Sequence, residues 1–216
     1  MGTERKNMND YKNLVIYAAD IGSIKANKFG WNCIDMNQVT SFSDSSIINF
    51  ANHMTDDLSQ GKKICVGFEC PLFLNLPDDP VELTSARLGE GDRAWSASAG
   101  SCALSTGLAE VMWVFNQMAS TFEGHVIPTF QFDELIHGNA NLYIWEAFVS
   151  SSSKGTSHCD DARKAAEEFS KRLYKESLIS DVHVIRPYSL AGAALIRSGL
   201  TKDVNFISQQ CLVVKV

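Results

Sequence analysis

The sequence predicts an α/β protein with a mixed sheet, in which three antiparallel strands come first, parallel strands follow, and helices flank the sheet. Long apolar runs at 14–20, 64–69 and 142–149 suit strands that are buried on both faces. Two further strand patterns follow the first run after short turns, which favours an antiparallel start. Helical patterns separate the later runs, and parallel strands need such crossover connections.

The first half of the chain supplies four strands and one helix. Alternation of apolar and polar residues indicates the second strand, and a turn-like segment separates it from a short third strand. A helical stripe of apolar residues follows, with Ser43 or Asp44 as the expected N-cap and Gly61 beyond its end. The predicted elements are strands at 14–20, 28–35, 39–42 and 64–69 and a helix at 45–59.

The second half begins with a long irregular segment, 75–101, that contains several Pro and Gly residues. Loops of this length inside a compact domain are usually functional or disordered. Ser157 is the expected N-cap of a later helix, and Asp160 completes a capping box. Besides a short helix near 82–87 within the loop, we expect helices at 104–120, 131–136, 158–176 and 188–198 and strands at 125–127, 142–149 and 182–185.

Length and composition favour one domain. We expect a disordered N-terminus at 1–12 and a single domain at 13–216, with a loop and helical insertion at about 75–122. The formal net charge of −6 argues against broad binding to duplex nucleic acid, which favours a basic surface. Six cysteines without a CxxC pair, and no apolar segment of signal-peptide or membrane-span length, favour a reducing cytoplasm and no membrane partner.

Three of the predicted buried strands each carry one acid at or near the end. These acids are Asp20, Glu69 and Glu146. A buried carboxylate is costly unless it is paired, protonated or bound to a metal, and ligands of α/β sheets gather at the carboxyl ends of strands. Hard oxygen ligands suit Mg²⁺ or Mn²⁺. The alternative is that each acid simply begins a loop. The strand of Glu146 continues to Val149, so this acid has a second alternative, which is a position inside the sheet rather than at its end.

A fourth acid lies at the start of the predicted helix at 158–176. Asp160 has a structural task as part of the cap, whereas Asp161 shares the helical stripe of Ala165 and Phe169 that is expected to face the sheet. Asp161 is therefore a candidate fourth ligand, and a solvated first-turn acid is the alternative. His158, just before the pair, is a candidate substrate contact or a surface residue.

The loop around 87–95 is the best candidate for contacts with substrate. Arg87 and Arg93 would bind phosphate through their guanidinium groups, and Trp95 would stack on a base. The alternative is a surface turn with the tryptophan in the core. Lys154 lies in a serine-rich segment that is either a flap over the site or a linker.

The order of these motifs resembles the ribonuclease H-like fold and, within it, the predicted nucleases of domain of unknown function 429. The resemblance covers about residues 14–200, and its individual motifs are short. The residues that carry it are Asp20-Ile-Gly-Ser, Val66-Gly-Phe-Glu-Cys-Pro-Leu, Trp145-Glu-Ala-Phe-Val and His158-Cys-Asp-Asp-Ala.

The resemblance implies a nuclease or phosphodiesterase that hydrolyses phosphodiester bonds with two divalent ions, Mg²⁺ or Mn²⁺. The implied metal ligands and catalytic residues are Asp20, Glu69, Glu146 and Asp161. The partner is then a nucleic acid or a small phosphodiester, and the oligomeric state is left open.

Such folds often carry an acid on the last helix, and the segment 189–196 has none. If that segment is the equivalent helix, the metal site is incomplete; if the helix at 158–176 is, Asp161 fills the role. An inactive binding or scaffold module is therefore one alternative. An actin-like nucleotide-binding enzyme is a weaker one, because Asp20-Ile-Gly-Ser resembles the phosphate loop of those proteins but 216 residues are too few for their two halves.

Overall fold

A computed structural model describes residues 11–38, 40–91, 94–122, 125–149 and 153–216 of the chain. It contains a mixed, mostly parallel seven-stranded sheet with helices on both faces. Its strands are β1 (Leu14–Asp20), β2 (Gly30–Asp35), β3 (Thr40–Asp44), β4 (Lys63–Phe68), β6 (Pro128–Thr129), β7 (Leu142–Phe148) and β9 (Leu212–Lys215). The strand order is β3-β2-β1-β4-β7-β6, and β9 also pairs with β7.

The three apolar runs occupy the centre of the sheet. β1 pairs antiparallel with β2 and parallel with β4, and β4 pairs parallel with β7. All seven residues of β1 are buried, as the unbroken apolar run predicts for a strand covered on both sides. Because β1, β4 and β7 are parallel, their carboxyl ends meet at one edge of the sheet, where the predicted acids lie.

Helices cover the two faces of the sheet unequally. The helices are α1 (Ile47–Ser59), α2 (Ser98–Thr121), α3 (Phe132–His137), α4 (His158–Tyr174) and α5 (Leu190–Ser198). Side chains of α1, α2 and α5 pack on the face that carries Val15 and Tyr17 of β1, and we call this the α2 face. The opposite face carries Leu14 and Ile16 and packs against α4, and we call it the α4 face.

The predicted helices and strands of the first half are present with small shifts at their ends. The N-cap prediction for α1 was wrong, because Ser46 rather than Ser43 or Asp44 accepts the backbone N–H of Asn49. Asp44 instead accepts a hydrogen bond from the Asn49 side chain at 2.7 Å. The short third strand begins at Thr40, and Val39 lies outside the described residues.

The long loop is shorter than predicted, and it is not wholly irregular. α2 begins at Ser98 rather than near residue 104, so six more residues are helical. β5 (Phe73–Asn75) pairs antiparallel with β8 (Pro187–Ser189) to form a separate two-stranded sheet. Instead of a helix near 82–87, a 3-10 helix spans Pro80–Glu82.

Beyond α2, two strand predictions were wrong and one strand of the main sheet was omitted. The strand expected at 125–127 is not formed, and β6 lies at Pro128–Thr129 instead. The proposed strand at 182–185 is not formed, because His183 makes only an isolated bridge with Leu88. The prediction missed β9, which completes the sheet beside β7. The helix at 158–176 was predicted correctly with its cap, since Ser157 Oγ accepts the Asp160 N–H at 3.2 Å. Residues 1–10 of the expected disordered N-terminus lie outside the described residues.

No helix among the described residues combines the length and the apolar character needed to cross a membrane.

Candidate functional site

Two acids meet on the α4 face at the carboxyl edge of the sheet. Asp20 is the last residue of β1, and Glu69 directly follows β4. Ala19 of β1 pairs with Phe68 of β4, and the Glu69 N–H donates to the Ala19 carbonyl at 2.8 Å. Asp20 and Glu69 are each one residue further along, so they lie opposite each other. Because side chains alternate along a strand, Asp20 lies on the same face as Ala18, which packs towards α4.

Asp161 reaches the same place from the first turn of α4. It is buried with Ala165 and Phe169 on the sheet-facing side of the helix, as predicted. The helix start lies directly on β2 at Gly30, where an added Cβ would come within 2.4 Å of the Cys159 nitrogen. Any larger residue at this position would push the helix, and Asp161 with it, away from the sheet.

The three carboxylates form one compact group, the acid cluster of Asp20, Glu69 and Asp161. One oxygen from each lies within 4.8 Å of the others. Asp20 and Asp161 are each 4% exposed, and the Glu69 side chain is 15% exposed. Oxygen atoms of three converging carboxylates are the donor set that Mg²⁺ and Mn²⁺ prefer, so the residues present fit such an ion.

The cluster has few compensating partners. The Nδ1 atom of His158 lies 2.5 Å from Asp20 Oδ2, and the Gly155 N–H donates to Asp161 Oδ1. The Lys154 ammonium lies 3.9 Å from both Glu69 Oε1 and Asp161 Oδ2, and its side chain is 48% exposed. Glu69 Oε2 is buried without a hydrogen-bond partner among the described residues.

Burial makes the negative charge of the cluster unfavourable. Desolvation raises the pKa of the Asp20 carboxyl, against the opposing effect of the His158 hydrogen bond. Desolvation raises the pKa of Glu69 well above its usual range, and the charge of Asp20 adds to the effect. A cation bound among the three carboxylates would relieve both effects, which is the physical reason to regard the cluster as a candidate metal centre.

Glu146 lies at the same edge of the sheet but not in the acid cluster. Along β7 it follows Leu142 and Ile144 on the α2 face, opposite to the face that carries Asp20. Its carboxylate accepts hydrogen bonds from the Arg87 guanidinium at 2.6 and 2.9 Å and from the Leu72 N–H at 2.9 Å. Of the four carboxylates expected to form one site, three come together in this structure, and Glu146 forms an ion pair with Arg87 instead.

Arg87 was expected to contact phosphate, but the structure buries it. The guanidinium donates to Glu146, to Glu90 at 3.0 and 3.3 Å, and to the Phe73 carbonyl at 3.0 Å. These five hydrogen bonds use all five N–H groups of the guanidinium. The side chain is 0% exposed, so it has no donor left for a substrate.

The other predicted substrate contacts have different positions. Trp95 and Lys154 line a cavity of about 560 Å³ that also includes Asp20 and Glu69. His158 contacts Asp20 as described, and its side chain is 40% exposed. Arg93 lies outside the described residues.

Two residues near the site were not predicted from the sequence. Glu110 of α2 is buried, and desolvation together with the charge of Asp20 raises its pKa to about 7. It is a lone acid among Gly107, Val111 and Val114 on the buried stripe of its helix, so the pattern that identified Asp161 would have found it. Lys28 lines the cavity, and no sequence signal separates it from the other surface lysines.

No protein-family model, curated protein or solved structure matches this chain.

Proposed function

We propose that the chain is a divalent-metal-dependent nuclease or phosphodiesterase of the ribonuclease H-like superfamily. One observation carries the proposal: three buried carboxylates from β1, β4 and α4 place oxygens within 4.8 Å of one another beside a cavity. Buried like charges that lack sufficient counterions are unfavourable in a purely structural role. A bound metal ion would offset the repulsion among the three carboxylates and so account for their proximity.

The strand order also supports the proposal. β1, β2 and β3 are antiparallel neighbours, and β4 and β7 then add in parallel beside β1. This is the arrangement that the resemblance to the ribonuclease H-like fold implied. Asp20 on β1 and Glu69 after β4 have the positions that the resemblance gives to metal ligands.

Asp20, Glu69 and Asp161 would hold the ion. A bound Mg²⁺ or Mn²⁺ supplies a more acidic water and stabilises negative charge on a departing oxygen. His158 keeps the Asp20 carboxylate in place through the contact at 2.5 Å. The Lys154 ammonium, half-exposed at the rim, has the reach and the charge to contact a phosphate oxygen.

The proposed substrate is a small or single-stranded phosphodiester. The net charge of −6 disfavours a long duplex, which binds mainly through its phosphates. We also propose a reducing cytoplasm as the compartment, which the six free cysteines support.

Calorimetric titration with Mn²⁺ tests the proposal. Wild-type protein should bind the ion, and Asp20→Asn should abolish the heat. Asp56→Asn, which removes an exposed acid on α1, is the matched control and should bind as the wild type does. Hydrolysis of bis(p-nitrophenyl) phosphate should then require Mn²⁺ and Asp20. Equal heats for the wild type and Asp20→Asn would reject the metal centre.

A second candidate function is an inactive binding module in which Lys154 serves as a permanent counterion. The position of its ammonium at 3.9 Å from both Glu69 and Asp161 favours this alternative. In that case Lys154→Ala would destabilise the protein, and Mn²⁺ would not restore the lost stability.

A further inference from the structure

We propose that the cavity beside the acid cluster binds a nucleoside phosphate of mononucleotide size. In this arrangement the phosphate lies between the acid cluster and the N-terminus of α2, and the base stacks on Trp95. The inference rests on the proposed function and adds to it the class of substrate.

The size and walls of the cavity suit such a ligand. Its volume of about 560 Å³ falls within the range of small-molecule sites, which is about 300–1,000 Å³. Asp20 and Glu69 form one part of the wall, and the first turns of α2 form another. The cavity therefore places a candidate cation site near a group of positive partial charges.

The N-terminus of α2 has no protein anion to neutralise it among the described residues. Ala97 has no side chain that can cap the helix, and the first turn contains no acid. Ala97, Ser98 and Ala99 all line the cavity. The Gly100 N–H already donates to the Ala97 carbonyl at 3.0 Å, so the attraction for an anion at this end comes from the dipole of the 24-residue helix and the N–H groups that precede Gly100.

Side chains in the same cavity also indicate an anionic ligand with a bound cation. The cavity walls include Lys28 and Lys154, and no acid is paired with Lys28 among the described residues. Glu90 and Glu146 also line the cavity, but both are paired with Arg87. On the cation side, Glu69 Oε2 is buried and accepts no hydrogen bond from the part of the chain that the structure describes. A phosphate bridged to a divalent ion would satisfy this carboxylate, the lysines and the helix terminus together.

Trp95 provides the aromatic wall. Its indole N–H donates to the Ser85 carbonyl at 3.2 Å, which fixes the side chain to its own loop. The same loop is anchored by the buried pairs of Arg87 with Glu90 and Glu146. A fixed indole beside a phosphate site is suited to stacking on a base, with little dependence on which base it is.

A long duplex does not fit these features. The positive groups lie within one cavity rather than along a surface stripe, and the protein carries a net charge of −6. The ligand class is therefore a free nucleotide, a small nucleotide diester or the terminal nucleotide of a single strand. The three sources share the phosphate and the base that the site would bind.

The test uses adenosine 5′-monophosphate as the probe, because it carries the phosphate and base that hydrolysis of such a diester would release. Mn²⁺ is titrated first without nucleotide, and the nucleotide is then titrated with and without Mn²⁺. We expect binding that Mn²⁺ strengthens, and no binding of adenosine at the same concentration. A 5′-phosphorylated single-stranded 10-mer and its duplex are titrated in parallel.

Matched variants test each wall of the cavity. Lys28→Glu should weaken nucleotide binding about tenfold, whereas Lys25→Glu, in an exposed 3-10 helix outside the cavity, should not change it. Ala97→Asp should also weaken it about tenfold, because the new carboxylate would cap α2 and repel phosphate. Trp95→Leu should weaken it about tenfold, and Trp95→Phe should retain most of the affinity.

The outcomes separate the inference from the proposed function. Failure of the nucleotide to bind, or equally tight binding of adenosine or of the duplex, overturns the inference while Mn²⁺ binding stands. Failure of the Mn²⁺ titration overturns the proposed function. Nucleotide binding that Lys28→Glu and Lys25→Glu weaken equally would also overturn the inference, because the binding would then be a general effect of charge.

Discussion

Two groups of buried acids lie at the same edge of the sheet, on opposite faces, and only one of them is electrostatically compensated. On the α2 face, Glu146 and Glu90 share the guanidinium of Arg87. On the α4 face, the side chains that contact the carboxylates of Asp20, Glu69 and Asp161 among the described residues are one histidine and a distant, half-exposed lysine.

The difference separates a structural group from a candidate functional one. The Arg87 group, which consists of Arg87, Glu90 and Glu146, satisfies its charges within the protein, so removing one member should lower the stability of the fold. The acid cluster leaves charge unsatisfied, so neutralising it should increase stability and remove metal binding. Buried charge that is poorly paired in the folded state is common where a protein binds a ligand or an ion.

The largest expected effect comes from removing Arg87. Arg87→Met leaves two buried carboxylates without a counterion, which should lower the free energy of unfolding by about 3–5 kcal/mol. Urea denaturation monitored by circular dichroism measures the change.

A charge-matched variant controls for lost packing. Arg87→Met combined with Glu90→Gln and Glu146→Gln removes the unpaired charges and should recover at least half of the lost stability. Wild-type stability for Arg87→Met alone would mean that the Arg87 group is not structural.

Neutralising the acid cluster should have the opposite sign. Glu69→Gln should raise the free energy of unfolding at pH 8 without metal, since each unit of raised pKa corresponds to about 1.4 kcal/mol. The same variant should lose Mn²⁺ binding, so excess Mn²⁺ should raise the melting temperature of the wild type only. If Glu69→Gln is instead less stable than the wild type, the acid cluster has a structural role like that of the Arg87 group.

Glu110 provides a pH-dependent intermediate case. Its pKa is raised to about 7 in the folded protein, so the folded state holds a proton that the unfolded state releases at lower pH. The associated stability is fully present below the ordinary glutamate pKa and is lost as pH rises through 7.

Glu110→Gln should therefore be more stable than the wild type at pH 8 by about 3 kcal/mol, with the difference vanishing near pH 4. Melting temperatures across this pH range measure the effect. A constant difference at every pH would show that the substitution acts through packing instead.

Lys154 should have the smallest effect on stability. Its ammonium is half-exposed and 3.9 Å from the carboxylates, so Lys154→Ala should change the free energy of unfolding by less than about 0.5 kcal/mol. Removing a competing cation should also tighten Mn²⁺ binding a few-fold. A loss of stability well above that limit would favour the binding module in which Lys154 is a permanent counterion.

The local patterns of the chain were sufficient to predict most of the sheet and part of the site. The apolar runs ending at Asp20 and Glu69 are β1 and β4, and the stripe through Asp161 faces the sheet as expected. These predictions depend on alternation, helical periodicity and capping, which are properties of neighbouring residues. They do not depend on how distant segments pack.

Some of the wrong predictions are local, such as the N-cap of α1 and the start of α2, but the missing strand and the strand at 182–185 that does not form concern contacts between distant segments. β9 is short, and it becomes a strand by pairing with β7, some 70 residues earlier in the chain. The segment 182–185 resembles a strand by composition, yet the structure gives it only one bridge. Sheet membership depends on the available edges, and these are set by the whole fold.

By itself, the sequence determined that the acids at the ends of the apolar strands are largely buried, because a lone carboxylate in that position has no route to full solvation. Only the tertiary structure decided what each acid does. Glu146 and Asp20 look alike in sequence, but alternation along parallel strands places them on opposite faces of the sheet. One meets Arg87 from a loop 59 residues away, and the other meets two further carboxylates.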